Sequence, residues 1–171
     1  MRGSVNQPEA TIRRIQKAEW RSLRALRLEA LQDSPRSYGS TYAGEVTRTD
    51  AEWQERAGAG AAGLDEVAVV AVVGDRWVGM ARGYLEPPVA HLIAVYVQPA
   101  SRGRGIGQAI SQAIVEWARE RGAGEVLLSV SDWNEGARRV YKRLGFTSTG
   151  VQESLPWDAS VTESEMRLEL G

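Results

Sequence analysis

The chain contains no cysteine and a single histidine, His91, in 171 residues. Disulfides, cysteine-based metal sites, a cysteine nucleophile and a histidine-rich metal site are therefore excluded, and no metal is expected. Lysine is scarce: Lys17 and Lys142 stand against abundant arginine, a bias that points to a GC-rich bacterial genome and carries no functional weight. No apolar run is long enough to cross a bilayer. Residues 1–11 are polar and lack the apolar centre of a signal sequence. A cytoplasmic location without a membrane partner is the default expectation. The net charge of -1 leaves no broad cationic field to hold nucleic acid, so any anion site must be local.

A hydrophobic fraction of 43% and a charged fraction of 25% are ordinary for a water-soluble globular chain. The length fits one domain over residues 1–171, with residues 1–9 expected to form a flexible N-terminal extension. Residues 10–15 read as a first strand. Residues 17–31 read as an amphipathic helix with Leu23, Leu26 and Ala30 on one face, stopped by Asp33-Ser34-Pro35. Residues 36–46 read as a loop carrying Tyr38 and Tyr42. A second helix is predicted from a cap at Asp50 to Ala57, followed by a flexible break over residues 58–63. Residues 67–73 are a continuous apolar run, hence a buried strand, joined through Gly74-Asp75 to a hairpin partner over 76–84. Pro87-Pro88 leads to another strand over 90–97. The helix predicted over 105–121 carries the apolar stripe Ile106, Ala109, Ile110, Ala113, Ile114 and Trp117. A strand over 126–130, a short helix over 134–144 and two closing strands complete the chain. In the last strand Met166, Leu168 and Leu170 alternate with Glu165, Arg167 and Glu169. The fold class is α/β, a mixed sheet with one parallel pair around the helix that starts at Gly105.

The most informative stretch is Val95-Tyr96-Val97-Gln98-Pro99-Ala100-Ser101-Arg102-Gly103-Arg104-Gly105-Ile106-Gly107. A strand enters a turn of glycine and arginine, then a helix. Three glycines at alternating positions leave backbone N–H groups uncovered, and the helix N-terminus adds partial positive charge, so the turn is a socket for phosphate. A plain surface turn has the same composition. The P-loop pattern is absent. The dinucleotide pattern Gly-x-Gly-x-x-Gly fails by one residue from Gly103, and from Gly105 it meets Ile110.

A second segment decides between these readings. Asn134-Glu135-Gly136-Ala137-Arg138-Arg139-Val140-Tyr141-Lys142-Arg143-Leu144-Gly145-Phe146 matches an Asn-x-x-Ala-x-x-x-Tyr-x-x-x-Gly-Phe pattern, and residues 102–107 match Arg/Gln-x-x-Gly-x-Gly/Ala. With these paired motifs and this element order, the chain resembles the GNAT acyltransferase superfamily from about residue 12 to residue 170. The resemblance implies about seven strands with about four helices, central parallel strands that splay apart, and acetyl-CoA as cosubstrate. It implies that Val95, Tyr96 and Val97 offer backbone groups to the pantetheine arm. Gly103, Arg104, Gly105, Ile106, Gly107 and Gln108 would present N–H groups to the diphosphate, and Arg102 and Arg104 would add charge. Asn134 would hold the pantetheine amide, a role compatible with capping its helix. The splay is expected where the pattern fails, after Val97 at Pro99.

The implied reaction moves an acetyl group to a primary amine by direct attack in a ternary complex. Tyr141 matches the family tyrosine that protonates the leaving thiolate; by periodicity alone it is also a core residue. His91 matches a strand position that holds a general base in several members of the superfamily, and by alternation it shares a face with Ile93, Val95 and Val97. A lone histidine at a strand start is equally a satisfied polar residue. Glu29, Glu45 or a water are the other bases. Ser129 stands where some protein N-terminal acetyltransferases carry glutamate, which weighs against a ribosomal-protein acceptor. Tyr38, Tyr42, Trp133 and Trp157 are the aromatic residues expected around the acceptor, unless they are simply core. A small-molecule amine is the first choice of acceptor. A protein N-terminus or lysine is the second, and a non-catalytic acyl-CoA-binding module is the alternative of another class. A homodimer is compatible with the resemblance.

Overall fold

The computed structural model describes residues 9–171, so the expected extension over residues 1–9 lies outside the described residues except for Glu9. The fold is mixed α/β. Seven strands, β1 (Thr11–Arg14), β2 (Glu66–Val73), β3 (Arg76–Glu86), β4 (Val89–Val97), β5 (Glu125–Ser131), β6 (Thr147–Leu155) and β7 (Asp158–Glu169), form one sheet in the order β1-β2-β3-β4-β5-β7-β6. Among the described residues only β4 and β5 pair in parallel; the other neighbours are antiparallel. The helices are α1 (Trp20–Asp33), α2 (Tyr42–Glu45), α3 (Asp50–Ala62), α4 (Ile106–Glu120) and α5 (Glu135–Arg143).

The sheet is buried on both faces, which explains the uninterrupted apolar run of β2. Val67, Val69 and Ala71 point to one core with Ile110, Ile114, Trp117 and Val126, under α4. Ala68 and Val70 point to the other, with Leu23, Leu26, Trp53 and Tyr96, under α1 and α3. Each fully buried aliphatic side chain such as Ile110 or Ile114 contributes about 1.5–3 kcal/mol relative to exposure. β7 obeys the predicted alternation: Met166, Leu168 and Leu170 join the α4 core, leaving the odd-numbered carboxylates on the opposite face.

Three local expectations are corrected. The second helix does not break over 58–63 but runs to Ala62. Its cap is Thr49, whose hydroxyl accepts from the Glu52 N–H at 3.2 Å, rather than Asp50. Gly60 is there for close approach, because a Cβ would come within 2.8 Å of the Ala68 Cβ. Gly63, at φ 65°, ends the helix in the left-handed conformation. The loop over 36–46 contains α2, a fifth helix of one turn, capped by the Thr41 hydroxyl on the Gly44 N–H at 3.2 Å. The helix predicted from Lys17 opens with a 3-10 turn over Lys17–Glu19 before α1 begins.

Gly83 fixes how closely α4 approaches β3. A Cβ there would lie 2.8 Å from Ile114 Cγ2 and 3.1 Å from Trp117 Cζ3, both in the fully packed core. Alanine ordinarily improves on glycine within a strand. Here Gly83→Ala is expected to lower stability by about 1–3 kcal/mol through overpacking. A fall in the urea midpoint at unchanged m-value checks this; an unchanged or higher midpoint refutes it.

Candidate active site

The site begins with a fault in β4. Met80 of β3 pairs with Tyr96, but Arg82 pairs with Ile93, so β4 spends one more residue than its neighbour. Ala94 takes up the difference at φ 55°, a left-handed backbone unusual for a residue with a Cβ. The extra residue exchanges the faces of the strand. Before it, Ala90 and Leu92 point toward α4; after it, Val95 and Val97 do, while Tyr96 turns to the α1 side. The expectation that His91 shares a face with Val95 and Val97 is therefore wrong: His91 shares one with Ile93, and on the far side of the bulge with Tyr96. The fault lies at Ala94, earlier than the expected position at Pro99.

β4 and β5 part at the same place. Their parallel pairing covers Val89 with Glu125, Ala90 with Val126 and His91 with Leu127, and then stops. The Gln98 N–H donates to the Val78 carbonyl at 2.8 Å, so alternation turns the backbone groups of Val97 and Val95 away from β3 and into the gap. Two side chains confirm the direction: Arg102 Nε donates to the Val97 carbonyl at 2.9 Å, and the Tyr38 hydroxyl donates to the Val95 carbonyl at 2.9 Å.

At one end of the gap lies the glycine turn. Gly103 and Gly105 sit at φ 77° and 79°, and Gly105 caps α4. The Ala109 N–H donates back to the Gly105 carbonyl, which leaves the N–H groups of Ile106, Gly107 and Gln108 without a partner in the helix. Added Cβ atoms at Gly103 and Gly105 would meet nothing within 4 Å, and one at Gly107 only Val97 Cγ2 at 3.8 Å. The turn is thus an open cradle of donors at the positive end of a helix dipole, and it fits a diphosphate. Arg104 is exposed beside it. Arg102 is turned away, held at 2.8 Å by Asp33 of α1.

At the other end is a cleft of about 370 Å³. His91, Ile93 and Ala94 of β4, Leu127 and Ser129 of β5, Glu163 and Glu165 of β7, and Tyr38 line it together with four arginines. The His91 ring stacks on Tyr84 at 4.5 Å with 9° between planes, and its Nε2 is 3.3 Å from Glu86 Oε1. Tyr141 is 7% exposed and packs edge-on against Phe146 at 6.0 Å. Burial pushes its phenol well above the ordinary tyrosine range, so the hydroxyl holds its proton firmly. Burial likewise pushes the Tyr38 phenol up, with Arg27 opposing and Tyr141 adding a smaller rise. Asn134 caps α5, accepting from the Ala137 N–H at 3.1 Å.

Of the other bases considered, Glu29 lies outside the cleft lining and accepts from Gln98 Nε2 at 2.9 Å. Glu45 lines the cleft, but Arg48 holds it at 2.7 Å and Arg56 at 3.1 Å. Burial alone would raise its carboxyl; the two guanidiniums outweigh that and hold it below the usual carboxylate range. The aromatic lining is also smaller than expected. Tyr38 alone of the four predicted residues reaches the cleft. Trp133 and Trp157 donate from Nε1 to the Arg36 and Tyr38 carbonyls instead, and both they and Tyr42 remain exposed. Sequence reasoning missed Arg27, Arg56, Arg82 and Glu163. The odd-numbered face of the last strand contained the signal for Glu163. Its carboxyl is raised by burial and, less, by Glu153.

Two parallel strands that part near a bulge, between a helix-capping glycine cradle and a polar cleft, agree with the splayed sheet that the resemblance to the GNAT superfamily implied. Residues 20–146 match the Acetyltransferase (GNAT) family, and the chain belongs to it. It is 36% identical over 74 residues to streptothricin acetyltransferase of Streptomyces lavendulae, a match covering 43% of this chain and 39% of that protein. It is 33% identical over 117 residues to mycothiol acetyltransferase of Nocardia farcinica, covering 68% of this chain and 38% of that one. The chain therefore spans less than half the length of these curated relatives. Its fold is also that of yncA of Salmonella typhimurium, solved with its cofactor acetyl-CoA, at a TM-score of 0.74 and 19% identity over 95% of this chain and 94% of that one. No helix of the described residues is long and apolar enough to cross a membrane.

Proposed function

We propose that this protein transfers the acetyl group of acetyl-CoA to a primary amine of a small molecule, by direct attack in a ternary complex. The observation that carries the reading is the unpaired edge of β4 beyond His91, with the donor cradle at one end and the cleft at the other. Relatives named for streptothricin and mycothiol support a small-molecule acceptor.

Acetyl-CoA supplies the activated thioester. The N–H groups of Ile106, Gly107 and Gln108 would bind its diphosphate, with Gly103, Arg104 and Gly105 shaping the turn. Val95 and Val97 would orient the pantetheine arm as one strand orients the next, and Asn134 would hold an amide of that arm. A backbone N–H on this edge would polarise the acetyl carbonyl. The amine nitrogen forms its bond to the carbonyl carbon as the carbon–sulfur bond breaks. His91, on the cleft wall, would take the proton that the ammonium must lose, and Tyr141 would give one to the departing thiolate. A tyrosine kept protonated by its surroundings holds an O–H donor ready for the sulfur as negative charge develops on it.

Thiol release from acetyl-CoA, followed across a panel of amines, tests this. Acceptor-dependent release is expected, falling about tenfold or more in Tyr141→Phe, a loss of ~1.4 kcal/mol or more of transition-state stabilisation, with acetyl-CoA affinity retained. Equal rates in the variant would reduce Tyr141 to a packing residue. In the same assay the acidic limb of kcat/KM is expected to disappear or shift in His91→Ala, because a protonated imidazole cannot accept the ammonium proton. An unchanged limb would place the base elsewhere.

A further inference from the structure

One group in the cleft has no part in the chemistry above. Arg27, from the middle of α1, is 7% exposed, and neither its Nε nor its Nη1 has a hydrogen-bond partner. Its guanidinium lies 4.8 Å from the centroid of the Tyr38 ring, which covers one face of the charge without supplying an acceptor. Glu45 is the carboxylate within reach to neutralise it, and Glu45 is already shared between Arg48 and Arg56. Arg82 reaches the same wall and pairs with Glu66 only at 3.7 Å. Four guanidiniums at this end of the cleft thus face three carboxylates, Glu45, Glu52 and Glu66, none of which hydrogen-bonds Arg27.

A buried guanidinium with unmade hydrogen bonds is expensive. The cost is recovered if an anion arrives when the site is filled. Desolvation has the corresponding effect on the neighbours: burial, helped by Arg56, pushes Arg82 down to about 10, and Arg27 is lowered by burial as well. The opposite wall has the reverse sign. Glu163 and Glu165 point into the cleft from β7, beside Ser129. The cleft is therefore polarised along its length, cationic at α1 and α3 and anionic at β7.

The diphosphate cradle at Gly103–Gly107 is outside this lining, so the free charge of Arg27 is not spent on the coenzyme's phosphates. We propose that the acceptor is an amine that also bears a carboxylate, and that Arg27 binds this carboxylate within the cleft while the carboxylates of β7 attract the ammonium end. The apolar stretch between the two ends, Ile93, Ala94 and Leu127, suits the carbon chain that separates the two groups of an amino acid. This inference rests on the proposed acetyl transfer and narrows its substrate.

The test uses the full-length protein, acetyl-CoA and matched sets of amines: amino acids, the same amino acids as C-terminal amides, and the corresponding decarboxylated amines. Acetyl-CoA binding is measured separately by calorimetry. The wild-type protein is expected to favour the carboxylate member of its best set by about tenfold or more in kcat/KM, since a site with a buried polar group discriminates strongly against a ligand that leaves it unpaired. Arg27→Met, similar in length and uncharged, is expected to abolish that preference while leaving acetyl-CoA affinity unchanged. Its thermal midpoint should be equal or higher, because an unpaired buried charge has been removed. Wild-type kinetics alone decide the matter should that variant not fold. Preference for the amides or decarboxylated amines, no acetylation of any carboxylate-bearing amine despite acetyl-CoA binding, or a preference that survives Arg27→Met would each overturn the proposal. Failure to bind acetyl-CoA at all would remove the acetyl-transfer reading beneath it.

Discussion

Ala94 holds a left-handed backbone at φ 55°, a conformation that costs a residue with a Cβ about 1–2 kcal/mol. The strand tolerates it because β4 is anchored on both sides of the fault, by pairing to β3 from Val89 to Ile93 and again at Tyr96 and Val97. That one extra residue has two consequences. It exchanges the faces of β4, so that His91 looks into the cleft on one side of the sheet while Val97 packs toward α4 on the other. It also coincides with the end of pairing to β5, which frees the backbone edge of Val95 and Val97. The opening that follows lies between the glycine cradle at α4 and the cleft at β7.

The remaining parts are arranged around that opening. Gly83 lets α4 lie close on the sheet, which sets where the helix N-terminus points. The loop before α2 returns Tyr38 to the Val95 carbonyl, bracing the free edge, and Arg102 braces the Val97 carbonyl while tied to Asp33. The Tyr38–Val95 bond and the Arg102–Asp33 pair cross between the α1 region and the end of β4, so the helical layer and the open strand are held in register. Tyr141 packs from α5 into the core under α4, where burial keeps its phenol neutral.

Much of this was legible in the sequence. The period of Ile106, Ile110, Ile114 and Trp117 is strong, and the alternation of Met166, Leu168 and Leu170 gave the last strand its correct faces. The glycine turn and the Asn134–Phe146 segment were readable because backbone geometry and capping constrain residue type there. The bulge was not. Glycine would have marked it, but the position holds alanine, and a strand buried on both faces shows no polar residue out of phase when its sides exchange. The end of α3 was misplaced for a related reason: Gly58, Gly60 and Gly63 look like a break, whereas Gly60 is a contact with Ala68. Arg27 was invisible because it sits among Arg21 and Arg24 on a helix whose polar face is otherwise solvated; only the sheet behind it shows that it is buried.

The central claim is that the bulge exposes a strand edge which, with the start of α4, grips acetyl-CoA. Amide hydrogen exchange read residue by residue, with and without acetyl-CoA, addresses it most directly. The account predicts that protection rises together at Val95, Val97, Ile106, Gly107 and Gln108, with little change at Tyr96, already paired to Met80. Unchanged exchange at Val95 and Val97 in a protein saturated with the coenzyme would contradict it.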